Sequence, residues 1–316
     1  MITIKVMNGI GDSLWWLGFM PDIAKDNQVD VLLAQQGNKK DGRSLHFLKR
    51  FPFLHKITQA KFPLWRNPSV LDGRIAYHPG VFCPNKEIEW DTRLEDYVPF
   101  QYDWNVMDYF RSTQCEVNKA QALGDYITIH MGSRENNTIQ GMNTEGKWTK
   151  QDWCELLYLL HHCVKLPIIA LGAYYDQEYF DDVMLECRVP VRSLIGKTTP
   201  CQLVPILRKS KLMVSYTDGL PILSAYLKTP TVCWWPQRTH SLQFGRECYF
   251  SESFATNWTD EWTHYKPVYY QREGVKDIFE LCLALIDNTT THHSAKRSDA
   301  ETWETHNFER YSKKAR

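Results

Sequence analysis

Hydrophobic and polar positions fall into short alternating units along the chain. ITIKVM (2–7) alternates and is β-branched, which predicts an opening strand. NGIGDS follows as a glycine-bearing turn. The apolar stretch LWWLGFMPDIAK (14–25) then reads as a helix, and VDVLLA (29–34) as a second strand. SLHFLKRFPFLHKITQA (44–60) predicts a helix, a proline break and a short strand. Residues 62–123 lose this rhythm. Prolines and aromatics dominate in LWRNPSV, YHPGVFCPNKEIEW and EDYVPFQYDW, so loops and short helices shaping a surface are expected there.

From residue 124 the units become regular. DYITIHM is a strand, and the Gly- and Asn-rich stretch 132–147 is a loop. Thr149 opens the helix KQDWCELLYLLHHC, with Asp152 placed to complete a capping box. LPIIALGA is a strand, DQEYFDDVMLEC a helix and VRSLIG a strand. KTTP is a loop in which Thr199 caps the next helix and Pro200 takes its first position. The helix CQLVPILRKS, the strand KLMVSY, the loop TDG, the helix LPILSAYL and the strand PTVCWWP complete the alternation. Strand and helix in turn, in short units, predict parallel sheets covered on both faces.

A chain of 316 residues suits two such domains better than one core. The expected division is 1–123, 124–287 with a closing amphipathic helix at 274–287, and a polar tail at 288–316. Trp303, Phe308 and Tyr311 in that tail are candidates to dock a last helix back on the N-terminal domain. Two α/β domains face to face leave a deep cleft lined by the carboxyl ends of their strands.

Charge narrows the function classes. Lys+Arg number 37 and Asp+Glu 37, so bulk attraction to nucleic acid is not expected, though a local basic patch is compatible with it. The start shows no basic-then-apolar leader, and no run is long and apolar enough to span a bilayer, so a cytoplasmic protein is expected. Nine scattered cysteines without a CxxC pair read as reduced thiols, not as a disulfide frame or a zinc site.

Candidate chemistry gathers in the loops after strands. Gly9-Ile10-Gly11-Asp12-Ser13 joins the first strand to its helix. Its glycines permit a tight turn that aims helix N–H groups at the cleft. Asp12 is either a helix N-cap or a base facing a hydroxyl in the cleft. Loops 132–147, 196–199 and 217–219 share one edge of the second sheet. They bring Lys147 and Lys197 as cations, the hydroxyls of Thr198, Thr199 and Thr217, and the Gly219 N–H to that edge, a set suited to a diphosphate. Each lysine alone could equally be a solvated charge. His130 ends a strand at the cleft, as a ligand contact or a structural histidine. Trp148, Trp234 and Trp235, at strand ends or loops, include a candidate for stacking on a ligand. No GxxxxGK[ST] loop is present, which argues against a P-loop nucleotide hydrolase.

In this order the chain resembles the heptosyltransferase-like glycosyltransferases of GT-B architecture. GIGDSLWWLGFMPDI is similar to their opening Gly-Asp loop, FLKRFPFLHKI to their Leu-Pro segment, and KWTKQDWCELLYLL to their Lys-Trp-Pro helix start, with Thr149 for the proline. LIGKTTPCQLVPILRKSKLMVSYTDGLPILSAYLKTPTV is similar to their Gly-Lys-Thr, Asp-Ser/Thr-Gly and Pro-Thr-Val elements. The family's aspartate falls at Thr217, one place before Asp218, and its following histidine falls at Ile222.

The resemblance implies an α/β fold of two Rossmann-like domains and an inverting glycosyltransferase using a nucleotide-sugar donor. By it, Asp12 is the base, Lys147 and Lys197 face the donor diphosphate, and Gly219 lines it through its backbone. Thr198, Thr217 and Asp218 complete the donor side, while Gly11, Ser13 and His130 line the acceptor side. No metal and no cofactor beyond the nucleotide-sugar co-substrate are expected. The acceptor is expected to be a surface saccharide or a hydroxymethylated base of viral DNA. A GT-B nucleotide-sugar epimerase and a non-catalytic nucleotide- or sugar-binding module are the alternatives.

Overall fold

The structure is a computed structural model that describes residues 2–6, 9–34, 43–60, 69–71, 74–76, 103–132, 148–216, 218–235, 264–269 and 274–289. The β-branched opening run forms β1 (Ile2–Val6), and VDVLLA forms β2 (Val29–Ala34). With β3 (Leu54–Ala60) they make a parallel sheet in the order β1-β2-β3. The turn after β1 leads into α1 (Ile10–Leu17), and α2 (Met20–Asp26) follows with Pro21 in its first turn. The single helix expected over 14–25 is therefore two. The break falls at Gly18–Phe19, just ahead of a proline that has no N–H to continue the ladder. Helix α3 (Arg43–Leu48) precedes β3.

One further departure, and one short helix of the kind expected, lie between residues 62 and 123. Within this stretch, expected to hold only loops and short helices, β4 (Ser69–Leu71) and β5 (Arg74–Ala76) form an antiparallel pair. Helix α4 (Gln114–Gln121) starts with a complete capping box: Thr113 Oγ1 accepts the Glu116 N–H, and Glu116 accepts the Thr113 N–H.

The second sheet is built from β6 (Ile127–His130), β7 (Ile168–Ala170), β8 (Val191–Ser193), β9 (Met213–Tyr216), β10 (Thr231–Trp235) and β11 (Tyr265–Tyr269). The last of these was not foreseen. All pairings are parallel, in the order β11-β10-β9-β6-β7-β8. Counted from β6, this is the 3-2-1-4-5-6 order of a doubly wound Rossmann sheet. The winding direction reverses between β6 and β9, which pair directly through Thr128, Ile129 and His130. Beyond that seam, at the carboxyl ends, doubly wound sheets bind their ligands.

Period-two alternation decides what each face receives. Ile127 and Ile129 of β6 and Val214 and Tyr216 of β9 join one buried cluster with α5 (Lys150–Leu159), α6 (Gln177–Glu186) and α9 (Val275–Thr289). The capping box predicted at Thr149 and Asp152 is present, and α5 runs on into a short π-helical segment, Leu160–Val164. On the opposite face lie α7 (Pro200–Lys209), capped by Thr199 and Gln202, and α8 (Gly219–Tyr226).

Helices α7 and α8 also join the two sheets. Their buried residues Val204, Leu207, Ile222 and Leu223 share one core with Val6, Leu14, Val31 and Phe47 of the N-terminal sheet and its helices. Polar struts cross the same boundary: Arg208 Nη2 donates to the Met107 carbonyl at 2.5 Å, and Lys209 Nζ to that of Gln121 at 3.1 Å. At the end of this interface α1 and α8 meet start to start. A Cβ on Gly219 would lie 3.1 Å from the Gly11 nitrogen, and a Cβ on Gly11 would lie 3.2 Å from Gly219 Cα and 3.0 Å from Ile222 Cδ1. Only residues without side chains let the two backbones approach this closely. Among the described residues no helix is long and apolar enough to cross a membrane.

The close approach sets a stability test. Gly219→Ala must push α8 a few tenths of an ångström off α1. It is expected to lower the unfolding free energy by about 1–3 kcal/mol, the range for overpacking. Chemical denaturation measures this, and an unchanged midpoint would mean that the two helix starts are not in contact.

Candidate functional site

The carboxyl end of β6 and the residue just past β9 carry a buried histidine and a carboxylate that pair with each other. Alternation along β6 turns His130 away from the Ile127 and Ile129 face, and it is only 2 % exposed. Its Nε2 lies 2.6 Å from Asp218 Oδ2, across the winding seam. Its Nδ1 lies 3.1 Å from the Leu171 carbonyl at the end of β7. Both nitrogens therefore face oxygens that can only accept. A neutral imidazole has one N–H and would leave one nitrogen lone pair against an oxygen, so the ring carries two protons.

The ring's pKa follows from the same contacts. Burial is the largest single influence and disfavours the charged ring. It is outweighed by the Asp218 charge and hydrogen bond together with the Asp176 charge and the Leu171 carbonyl, and the pKa is pushed up to about 9. Asp218 is thus held from two sides. One oxygen accepts from His130, and Oδ1 accepts the Leu220 N–H at 2.6 Å, capping α8. The carboxylate keeps 41 % exposure, so it can also meet a ligand in the crevice.

The neighbouring loops are clamped to one another. The Gly196 N–H donates to the Gly172 carbonyl at 2.9 Å, and the Leu194 N–H to that of Ala170 at 2.9 Å. Asp176 Oδ2 accepts the Ala173 N–H at 2.6 Å. It sits where a Cβ on Gly172 would be, only 2.7 Å away. Gly132, just past His130, has φ +60°, and a Cβ there would be 2.8 Å from Tyr216 Cβ. Glycine is the residue that tolerates both conditions.

Several sequence expectations meet this geometry directly. Lys197 is exposed on the loop before α7, and its ammonium donates to the Ser193 carbonyl at 3.1 Å. Thr198 Oγ1 is hidden from solvent and has no hydrogen-bond partner among the described residues. Gly219 is the first residue of α8, beside Asp218. Asp12 is the third residue of α1, whose N-cap is Gly9, so the N-cap reading of Asp12 does not hold. Lys147 and Thr217 lie outside the described residues, as does the tail with Trp303, Phe308 and Tyr311.

Other expectations are corrected. Ser13 does not line a cleft: it is fully buried, and its hydroxyl donates to the Gly9 carbonyl at 2.7 Å within its own helix. Gly11 is buried against Gly219 and Ile222 rather than open to an acceptor. His130 is covered on all sides and pairs with Asp218, so it does not itself line a cleft. Trp148 is not a stacking face, because it is buried edge-on to Trp153 with ring centroids 5.4 Å apart. Ile222, where the resemblance expects a histidine, is a packing residue against Gly11. The pairing of His130 with Asp218 was not foreseen. Its signals were the ITIH alternation and the position of Asp218 just after β9, and they become meaningful only once β6 and β9 are known to be neighbours.

No protein-family model and no curated protein matches the sequence. Solved structures do match in fold. The Escherichia coli ADP-heptose LPS heptosyltransferase II superposes with a TM-score of 0.60 at 14% identity, over 92% of this chain and 99% of that one. A family 9 glycosyl transferase from Veillonella parvula gives 0.60 at 10% identity, over 91% and 97%. The E. coli heptosyltransferase WaaC with ADP gives 0.51 at 12% identity, over 89% and 96%. The chain has the two-domain α/β fold of these GT-B proteins along nearly its whole length.

The state of His130 is directly testable. Its folded pKa lies above the ordinary value, so its stabilising effect is complete below about pH 6.5 and is lost as pH rises through about 9. The melting temperature of the wild type should therefore fall toward that of His130→Gln between these values, with the two curves separated by a constant gap at lower pH. A gap that does not change between pH 6 and 10 would mean that the ring is not charged in the folded protein.

Proposed function

We propose that the chain is a glycosyltransferase that moves a sugar from a nucleotide-diphosphate sugar to an acceptor hydroxyl, with inversion at the anomeric carbon. The observation that carries this reading is the meeting of two helix starts, one from each sheet, at the winding seam of the second sheet. Helix starts present unpaired N–H groups and a positive dipole end, which favour an anionic ligand. The similar structures add support, since one of them is a heptosyltransferase solved with ADP.

In this reading the donor lies over the second sheet. The leaving diphosphate meets the Lys197 ammonium and the Gly219 N–H at the start of α8. Lys147 and Thr217, which adjoin the described residues Trp148 and Asp218 in sequence, belong to the same set. Asp218 accepts from hydroxyls of the donor, and His130 holds its carboxylate in place. The acceptor lies on the side of α1. Its hydroxyl oxygen attacks the anomeric carbon, the carbon–oxygen bond to the diphosphate breaks, and the proton passes to the Asp12 carboxylate. Charge on the leaving group is met by these residues, and no metal ion forms part of the reading.

Incubating the protein with nucleotide sugars and candidate acceptors, with products followed by mass, tests this. Saccharide acceptors and hydroxymethylated DNA form separate arms. The expected result is a new glycoside in one arm and free nucleoside diphosphate in equal amount. An altered sugar released without any acceptor would indicate an epimerase instead, and tight donor binding with no product a binding module.

Two substitutions separate the roles. Asp12→Asn keeps the size of the side chain but cannot take the proton, so transfer should fall ~10²–10⁴-fold with donor affinity and melting temperature near those of the wild type. Wild-type transfer by this variant would remove Asp12 as the base. Lys197→Ala removes a charge-assisted contact and should weaken nucleoside-diphosphate binding by ~1.5–3 kcal/mol in calorimetry without altering the fold. Unchanged affinity would take Lys197 out of the site.

A further inference from the structure

The strand-end surface of the second sheet carries a feature that the transfer chemistry leaves unused. Tyr174 is 66 % exposed and Tyr175 44 % exposed, in a 3-10 turn, Tyr174–Asp176, after β7. Neither ring belongs to the buried clusters of this sheet. Exposed aromatic pairs on a rigid frame are suited to stacking on flat rings.

The frame here is rigid and specific. The Asp176 carboxylate ties the turn through the Ala173 N–H, and the Asp176 N–H donates back to the Ala173 carbonyl at 3.0 Å. The Gly196 N–H bonds the Gly172 carbonyl, which fixes this turn to the loop after β8. Gly196 has φ +67°, and a Cβ there would lie 3.1 Å from Tyr174 Cα. A glycine thus lets the Lys197 loop rest directly on the backbone of Tyr174. The two tyrosine rings meet edge to face, with centroids 5.3 Å apart and planes at 73°. The two tyrosine rings and Lys197 therefore come from one clamped pair of loops, those that follow the carboxyl ends of β7 and β8, where doubly wound sheets bind their ligands.

We propose that Tyr174 is the stacking shelf for the base of the donor nucleotide, with its diphosphate running from Lys197 toward the start of α8. The inference rests on the transfer reading and adds the residue that holds the nucleoside end. Stacking is tolerant of base identity, because every base has a π-face. The shelf therefore predicts affinity for nucleotides in general, with purines ahead of pyrimidines through their larger face.

Titration calorimetry on the full chain with ADP, GDP, UDP, CDP and inorganic pyrophosphate tests it. Tyr174→Ala should raise the Kd of the nucleoside diphosphates by about 5- to 150-fold, the range for losing one stacked base. Its Kd for pyrophosphate should match the wild type, and Tyr174→Phe, which keeps the ring, should bind nucleotides like the wild type. Because the ring is exposed, the melting temperature of Tyr174→Ala should not move. Equal nucleotide affinity in Tyr174→Ala and wild type would overturn the shelf while leaving the transfer reading intact. So would an equal loss for pyrophosphate. Absence of nucleotide binding by the wild type would overturn the transfer reading itself, and the shelf with it.

Discussion

A buried charge at the end of β6 is the constraint on which the candidate site depends. An imidazolium in a nearly dry position is costly unless opposite charge and hydrogen bonds surround it. His130 satisfies that requirement by drawing the Leu171 carbonyl to one nitrogen and the Asp218 carboxylate to the other. In doing so it ties the ends of three strands, β6, β7 and β9, to the first turn of α8. Such a pair is weak evidence for stability as such, since well-packed apolar residues often do as well. Its effect is positional. The carboxylate that caps α8 has a fixed orientation, and the helix start that it caps is the one that meets α1.

That meeting links the two domains chemically as well as mechanically. Gly11 and Gly219 bring backbone against backbone, and Ile222 closes the space beside them. The start of α8 and the start of α1 are thereby set at a common place. Where the resemblance expects a histidine on α8, the chain uses an isoleucine for this packing. An imidazole is present near the same helix start, but it comes from β6 and is buried. It reaches the start of α8 only through Asp218, whose carboxylate it holds in place.

Much of the second domain was legible in the sequence because its signals are local. Capping at Thr149 and Thr199, with Pro200 at the first helical position, depends on a few consecutive residues, and the helices start where those residues say. Alternation in ITIH and the short mostly apolar run of KLMVSY predict strands locally. What was not legible depends on neighbours remote in sequence. His130 and Asp218 are 88 positions apart in numbering and become partners only because the sheet reverses its winding between β6 and β9. Ser13 reads as a cleft hydroxyl in the turn motif, but one turn of helix carries it inward to bond Gly9. The short pair β4 and β5 was hidden by the prolines and aromatics around it, where apolar periodicity has too few residues to register.

The central claim is that the seam between β6 and β9 receives a nucleoside diphosphate. Thermal unfolding of the wild-type protein across a panel of nucleotides tests it most directly. A ligand that binds the folded state alone, at a hundred times its Kd, adds about 2.7 kcal/mol to stability. The account predicts a rise in melting temperature of several degrees with at least one nucleoside diphosphate, a smaller rise with the matching monophosphate, and none with the free nucleoside at the same concentration. A melting temperature unmoved by every nucleoside diphosphate up to millimolar concentration would contradict it.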